Sequence, residues 1–226
     1  MNIFKKIILF SIAMILCVLI SCNKQENEKE ITPQVKVKEL VCKKSELPIN
    51  IDYKGKIFQC KKWIDSNGEN YLILTTEEIV ERERKLSGFS EYYKSLSWHG
   101  YHYCNNNGTD FKLIREFVDY IKDCEFDLMF EYMQDYIKIS DLDNNNIGEF
   151  TVIYQMTCAS DVSPWEIKLL MFENGNKYSI RGTTKVDYDG GESYGGEKFI
   201  DNAFKKGPQE FLNYAEVMFD RASGLK

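Results

Sequence analysis

The sequence predicts an α+β fold, mainly antiparallel β-hairpins in a meander with one C-terminal helix packed on the sheet. Three observations carry that prediction. Apolar residues recur with a period of two along much of the chain, the pattern of strands with one buried face. These runs are broken by Asp65-Ser66-Asn67-Gly68 and Asn174-Gly175, which suit tight hairpin turns. A helical period is unambiguous only near the end, where Phe211, Leu212, Ala215, Met218 and Phe219 repeat.

At the amino terminus, residues 1–21 place Lys5 and Lys6 ahead of an apolar run from Ile7 to Ile20. This is the plan of a secretory signal, too short for an ordinary membrane-spanning helix. The run ends at Leu19-Ile20-Ser21-Cys22, which resembles the lipobox of bacterial lipoproteins. That resemblance implies a chain that begins at an acylated Cys22 and is held to a membrane by its acyl chains. Residues 22–34 are nearly devoid of apolar side chains and read as a flexible tether. Asn23 is not the aspartate that commonly retains lipoproteins in the inner membrane, and Lys24-Gln25-Glu26 resembles the charged export tags of Bacteroidetes surface lipoproteins. The expected location is the bacterial outer membrane, lipid-anchored, on the periplasmic face or at the cell surface. Loss of the signal removes Lys5 and Lys6 and no acid from 29 basic and 35 acidic residues, taking the net charge from −6 to −8. Such a balance argues against nucleic acid as a partner and against electrostatic adhesion to anionic lipid.

Residues 35–226 read as a single β-rich domain. Period-two runs cover 35–40, 57–63 and 70–74, the last two joined as a hairpin through Asp65–Gly68. Residues 77–85 are so charged that they predict a short exposed helix or a loop. An aromatic strand spans 96–104 and closes at the Asn105-Asn106-Asn107-Gly108 turn. Residues 111–121 fit both periods and are assigned to strand, whereas 128–136 fit both without a decision. Strands follow at 150–156, 166–172 and 177–181, the last two as a hairpin around Asn174-Gly175. The glycine-rich run 189–196 predicts a mobile loop. Gly207-Pro208 then opens the terminal helix, since proline suits a first helical turn, and Gly224 follows its end.

Seven cysteines are present. Cys17 falls in the signal and Cys22 is the lipid site, which leaves Cys42, Cys60, Cys104, Cys124 and Cys158 in a chain expected to be exported to an oxidising compartment. An odd number leaves at least one unpaired within the chain. Cys124 precedes the segment leading into an acidic loop and Cys158 closes the strand leaving it, so these two are expected to pair. No Cys-x-x-Cys occurs and the histidines are His99 and His102 alone, which disfavours structural zinc.

That acidic loop is the segment with the most chemistry. Asp141, Asp143 and Asn145 fall at positions 1, 3 and 5, the Ile147 carbonyl at 7 and Glu149 at 9, an oxygen-rich spacing suited to calcium. The loop resembles the Asp-x-Asp-x-Asn/Asp-Gly-x-x-Glu/Asp calcium loops of integrin-like and other extracellular repeats, with Asn146 in place of glycine. The same letters also describe a metal-free turn, because Asp and Asn cap their own backbone.

A wider resemblance runs through Trp63-x-Asp65 with Gly68-x-Asn70, Lys122-Asp123-Cys124 with Asp127, Asp141-x-Asp143 with Gly148-Glu149, then Tyr154 and Cys158. It continues through Asp161-Val162-Ser163-Pro164, Lys168, Lys177-Tyr178 and Arg181-Gly182. In these residues the chain is similar to a family of small Bacteroidetes lipoproteins labelled surface polysaccharide biosynthesis proteins. The resemblance covers nearly all of the chain after the signal. It implies an influence on surface polysaccharide and names no catalytic residue, and members often carry glycine at the position of Asn146.

Two functional classes follow. The leading expectation is a non-catalytic binding or structural module whose partner is envelope glycan or protein, with Trp63, Trp98 or Trp165 as a sugar-stacking face beside Asp161 and Arg181. The alternative is a glycan-processing hydrolase in which Asp127, Glu149 and Asp161 meet near Arg181 as paired carboxylates. Against it, Asp161 also reads as the cap of the Ser163-Pro164 turn and Arg181 as the partner of a strand carboxylate. No serine or cysteine has the context of an activated nucleophile.

Overall fold

The computed structural model describes residues 36–188 and 190–225, all within the unit Val35–Lys226. The signal, Cys22 and the tether 22–34 lie outside the described residues. Fourteen strands and two helices are described: β1 (Lys38–Leu40), β2 (Lys56–Asp65), β3 (Gly68–Thr76), β4 (Val80–Leu86), β5 (Phe89–Cys104), β6 (Lys112–Cys124), β7 (Asp127–Tyr132), β8 (Lys138–Ser140), β9 (Glu149–Ala159), β10 (Glu166–Glu173), β11 (Asn176–Thr183), β12 (Lys185–Asp187), β13 (Ser193–Gly195), β14 (Lys198–Ile200), α1 (Asn202–Lys206) and α2 (Gln209–Ala222).

They form two six-stranded antiparallel sheets and a small β12–β13 ribbon. The first sheet runs β1-β2-β3-β5-β4, with β6 along the other side of β5. The second runs β14-β11-β10-β9-β7, with β8 also on β9. Each sheet is built on one long strand, β5 or β9, whose one edge is shared end to end by two partners. The sheets pack face to face. Trp63, Leu72, Leu74, Trp98 and Phe117 meet Phe150, Val152, Tyr154, Leu170 and Phe172 in one core. At the pair Gly100–Phe117 the ring lies where a Cβ on residue 100 would stand, so only glycine admits it.

The second sheet is buried on its other face too. Ile153, Ile167, Leu169, Met171 and Ile180 pack against Phe204 of α1 and Phe211, Ala215 and Phe219 of α2. Double burial explains why residues 167–172 read as a nearly unbroken apolar run, not as alternation. Phe211, Ala215 and Phe219 are spaced by four on one stripe of the helix and fully buried, each phenylalanine contributing roughly 2 kcal/mol of hydrophobic burial. The Asp201 side chain accepts the Phe204 N–H and caps α1. The outer face of the first sheet is closed by the segment between β1 and β2, where Leu47 and Ile51 cover Ile57, Tyr71, Ile73, Tyr101 and Tyr103.

Two expectations need correction, and one open reading is resolved. Residues 77–85 are neither helix nor loop over most of their length: β4 takes Val80–Leu86 and pairs with the first half of β5. Its charges alternate because both of its faces meet solvent, with Arg84 opposite Glu91 and its guanidinium 5.4 Å from the Tyr93 ring. The glycine-rich run is not all loop, since Ser193–Gly195 forms β13 against β12. Residues 128–136 divide into β7 and a short 3-10 turn, Gln134–Tyr136.

Cys124 and Cys158 are bonded, joining the end of β6 to β9 across the two sheets, and Cys42 is bonded to Cys60. Among the described residues Cys104 is the buried free thiol.

Candidate metal centre

The loop between β8 and β9 begins at Asp141 and ends at Glu149, the first residue of β9. Its course is set by Asn side chains that tolerate left-handed backbone. Asn144 and Asn146 adopt φ of 59° and 64°, so Asn146 takes a left-handed conformation for which glycine is otherwise the usual residue. Asp143 accepts the Asn145 N–H and Asp141 accepts the Asn146 N–H, at 3.2 and 3.3 Å.

Three carboxylates converge inside this turn. One oxygen each from Asp141, Asp143 and Glu149 lie within 4.8 Å of one another, so the group can hold a metal ion. Asp141 and Asp143 are half-buried, and Glu149 is fully buried. The Leu142 N–H donates to both Glu149 oxygens, at 3.2 and 3.1 Å. Burial is the main reason that Glu149 is pushed up to about 7. The Ser140 hydroxyl and the Leu142 N–H oppose that shift, while the charges of Glu173 and Asp143 add to it. A cation would reverse this balance by favouring the ionised form.

The other two expected ligand positions are engaged differently. The Asn145 oxygen accepts the Ile147 N–H at 2.7 Å, and the Asn145 amide donates to Asp143 and to Glu173. This is an Asx turn, so both ends of the Asn145 side chain are held by its neighbours, and Ile147 enters through its N–H. Glu173 is a fourth carboxylate missed in the sequence. It is pushed up by burial and by Asp143 and Asp141. The signal lay in strand pairing: Glu173 stands one step beyond the Phe172–Phe150 pair, next to Glu149.

The loop is braced from the first sheet. Asp65, at the end of β2, accepts the Gly148 N–H at 3.0 Å, and the Ser66 N–H donates to the Asn146 carbonyl at 2.9 Å. A Cβ on Gly148 would stand 2.6 Å from the Trp63 indole nitrogen, so glycine is required for this close approach.

Trp63 corrects an expectation. It is fully buried, donates its indole N–H to Asp65 at 3.0 Å and stacks on His102, so it presents no face to a sugar. Trp98 is equally buried. Trp165 is half-buried and lines a cavity of about 530 Å³ with Lys94, Asp127, Met129, Asp161 and Val162. Glu149 and Arg181 do not line this cavity, so the carboxylates expected to meet near Arg181 are divided between two places. Asp161 accepts hydrogen bonds from the Ser163 hydroxyl and N–H, which hold it below its ordinary value. Arg181 is exposed and has no carboxylate partner among the described residues.

His99 and His102 are buried and bonded to Glu77 and Asn70, each at 3.0 Å. Burial takes His102 down to about 4, so it is a neutral core group at ordinary pH.

The chain has no significant match among protein-family models, curated proteins or solved structures.

Proposed function

We propose that this protein is a lipid-anchored protein of the bacterial cell envelope whose β-sandwich serves as a non-catalytic binding or structural module linked to surface polysaccharide, with calcium held in the 141–149 loop. The observation that carries the reading is the convergence of Asp141, Asp143 and Glu149 within 4.8 Å. Carboxylate oxygens are ligands for hard cations, and calcium accepts the irregular geometry that a turn of this kind offers. An ion there would offset the crowding of four acids and fix the entry to β9. The charged n-region, the apolar run and Cys22 support the envelope location, and the resemblance to polysaccharide-associated lipoproteins supports the glycan connection.

A hydrolase reading has one observation in its favour, the presence of Asp127 and Asp161 in one cavity. Glycosidic general acids need a raised pKa, and Asp161 is held in the opposite direction. Glu149, which is raised, is buried in the loop and does not line the cavity that holds Asp127 and Asp161. The environments of these acids therefore favour the binding module.

The test is calorimetric titration of calcium into chelator-treated full-length protein in detergent, at pH 7.5, beside an Asp141→Ala plus Asp143→Ala variant. Micromolar to millimolar binding with a rise in Tm, both lost in the variant, is the expected result. Absence of heat and of a Tm shift in the unmutated protein would leave the loop as a turn without an ion.

A further inference from the structure

We infer that the open margin of the second sheet, where β11 and β14 run past β6, binds an anionic glycan: a sugar chain carrying carboxylate or sulfate groups at intervals. This site is distinct from the acidic loop, and it deepens the binding-module reading on which it rests.

The strand register builds the surface. Lys168 of β10 stands opposite Arg181 of β11, and Arg181 stands opposite Phe199 of β14. Residues paired across antiparallel strands share a face, so a lysine, an arginine and an aromatic ring form one row across three strands. Phe199 is 69% exposed and Arg181 is exposed. Lys177 lies four residues before Arg181, on the same face. Its cross-strand partner Phe172 has the Arg115 guanidinium 5.8 Å from the ring centroid. This face is the one turned toward the first sheet, because Phe172 stacks on Phe117 of β6. Arg115 and Asp119 of β6 therefore form a wall beside the row.

The charges here are only partly neutralised, by Asp119 and by Asp201, which accepts from Ser179 between Lys177 and Arg181. Asp119 pairs with Lys168 and also accepts the Tyr154 hydroxyl at 2.9 Å. Arg115, Lys177 and Arg181 have no carboxylate partner among the described residues. Like charges set opposite each other across strands, as Lys168 and Arg181 are, oppose folding. Burial and the positive charges of Arg181 and Arg115 hold Lys177 below its ordinary value, against the opposing charges of Asp119 and Asp201. An anion between these cations would relieve the repulsion.

The ligand class follows from spacing and composition. Lys177 and Arg181 are separated by about 13 Å along an extended strand, beyond the reach of one carboxylate or sulfate, so the ligand presents anionic groups in series. The arginine fork matches such groups bidentately. Phe199 adds a flat apolar surface of the kind on which sugar rings stack.

The experiment titrates full-length protein in detergent with a heparin-derived hexasaccharide, a neutral dextran oligosaccharide and a poly-aspartate peptide. Calcium titration of the same samples reports separately on the acidic loop. Saturable binding of the hexasaccharide that weakens with salt, falls at least tenfold in Lys177→Gln plus Arg181→Gln and several-fold in Phe199→Ala, with no dextran binding and weak peptide binding, is the expected result. The glutamine variant should keep or raise its Tm, since it removes repulsion. Failure of the hexasaccharide to bind while calcium still binds would overturn the inference and leave the proposed function standing. Equal binding of poly-aspartate, unaffected by Phe199→Ala, would overturn the glycan assignment.

Discussion

Asp65 and Glu149 are two carboxylates buried where the sheets meet, 3% and 0% exposed, and they are supported in opposite ways. Asp65 accepts N–H groups from the Trp63 indole, Asn67 and Gly148, at 3.0, 2.8 and 3.0 Å. Glu149 has one backbone N–H shared between its two oxygens, and Asp143 and Glu173 press on it with like charge. A buried carboxylate surrounded by donors is a structural tie. One surrounded by other carboxylates has ligand capacity left for a cation. The contrast separates the part of this join that holds the sandwich together from the part suited to an ion.

Mutating the tie should have the larger effect. Asp65→Ala leaves the Trp63 and Gly148 N–H groups buried without an acceptor, and is expected to destabilise the protein by about 3–5 kcal/mol, read as a shift in the urea midpoint. A loss under 1 kcal/mol would erase the distinction between the two carboxylates.

Acid should next weaken the side to which Asp65 belongs. His102 stacks on Trp63 and is held down to about 4 from an ordinary 6.5. The unfolded chain takes up a proton at a pH where the folded one does not, so stability is lost as pH falls from 6.5 through 4. The loss amounts to roughly 3 kcal/mol, measurable by urea titration at stepped pH.

Glu149 should show the reverse slope. Its folded pKa is raised from 4.5 to about 7, so the folded state retains the proton longer. Stability without calcium therefore falls as pH rises from 4.5 through 7, and the rise in Tm given by calcium grows over the same window. Glu149→Gln should flatten that slope and abolish the calcium increment while changing Tm little at pH 5. A calcium increment that survives Glu149→Gln would sink the assignment of this carboxylate as a ligand.

Much of this arrangement was legible locally. The Asp65–Gly68 and Asn174-Gly175 hairpins, the α2 stripe and the Cys124–Cys158 pairing all depend on neighbours in sequence or on the plan of one unit. The three acids of the loop sit within nine positions and announce themselves in the same way. Non-local features were hidden. Glu173 joins the loop through strand register, and Asp65 reaches Gly148 from 83 residues away. Trp63 looked available to a ligand because one sequence does not say which face of β2 turns inward. The strand β4 was obscured because its charges suggest solvent, which is correct, while its order comes from pairing with β5. The cation row around Arg181 follows from the β10-β11-β14 order, which hydrophobic period does not encode.

The Cys42–Cys60 bond also gives the molecule a mechanical property. Tension applied upstream of residue 36 first meets β1, whose three residue pairs with β2 can be peeled away. Beyond them the load passes covalently through Cys42 to Cys60, in the middle of β2, which is zipped to β3 along nearly its whole length. The segment between β1 and β2 is thereby shielded from the pull, and the first sheet bears it as a single plate.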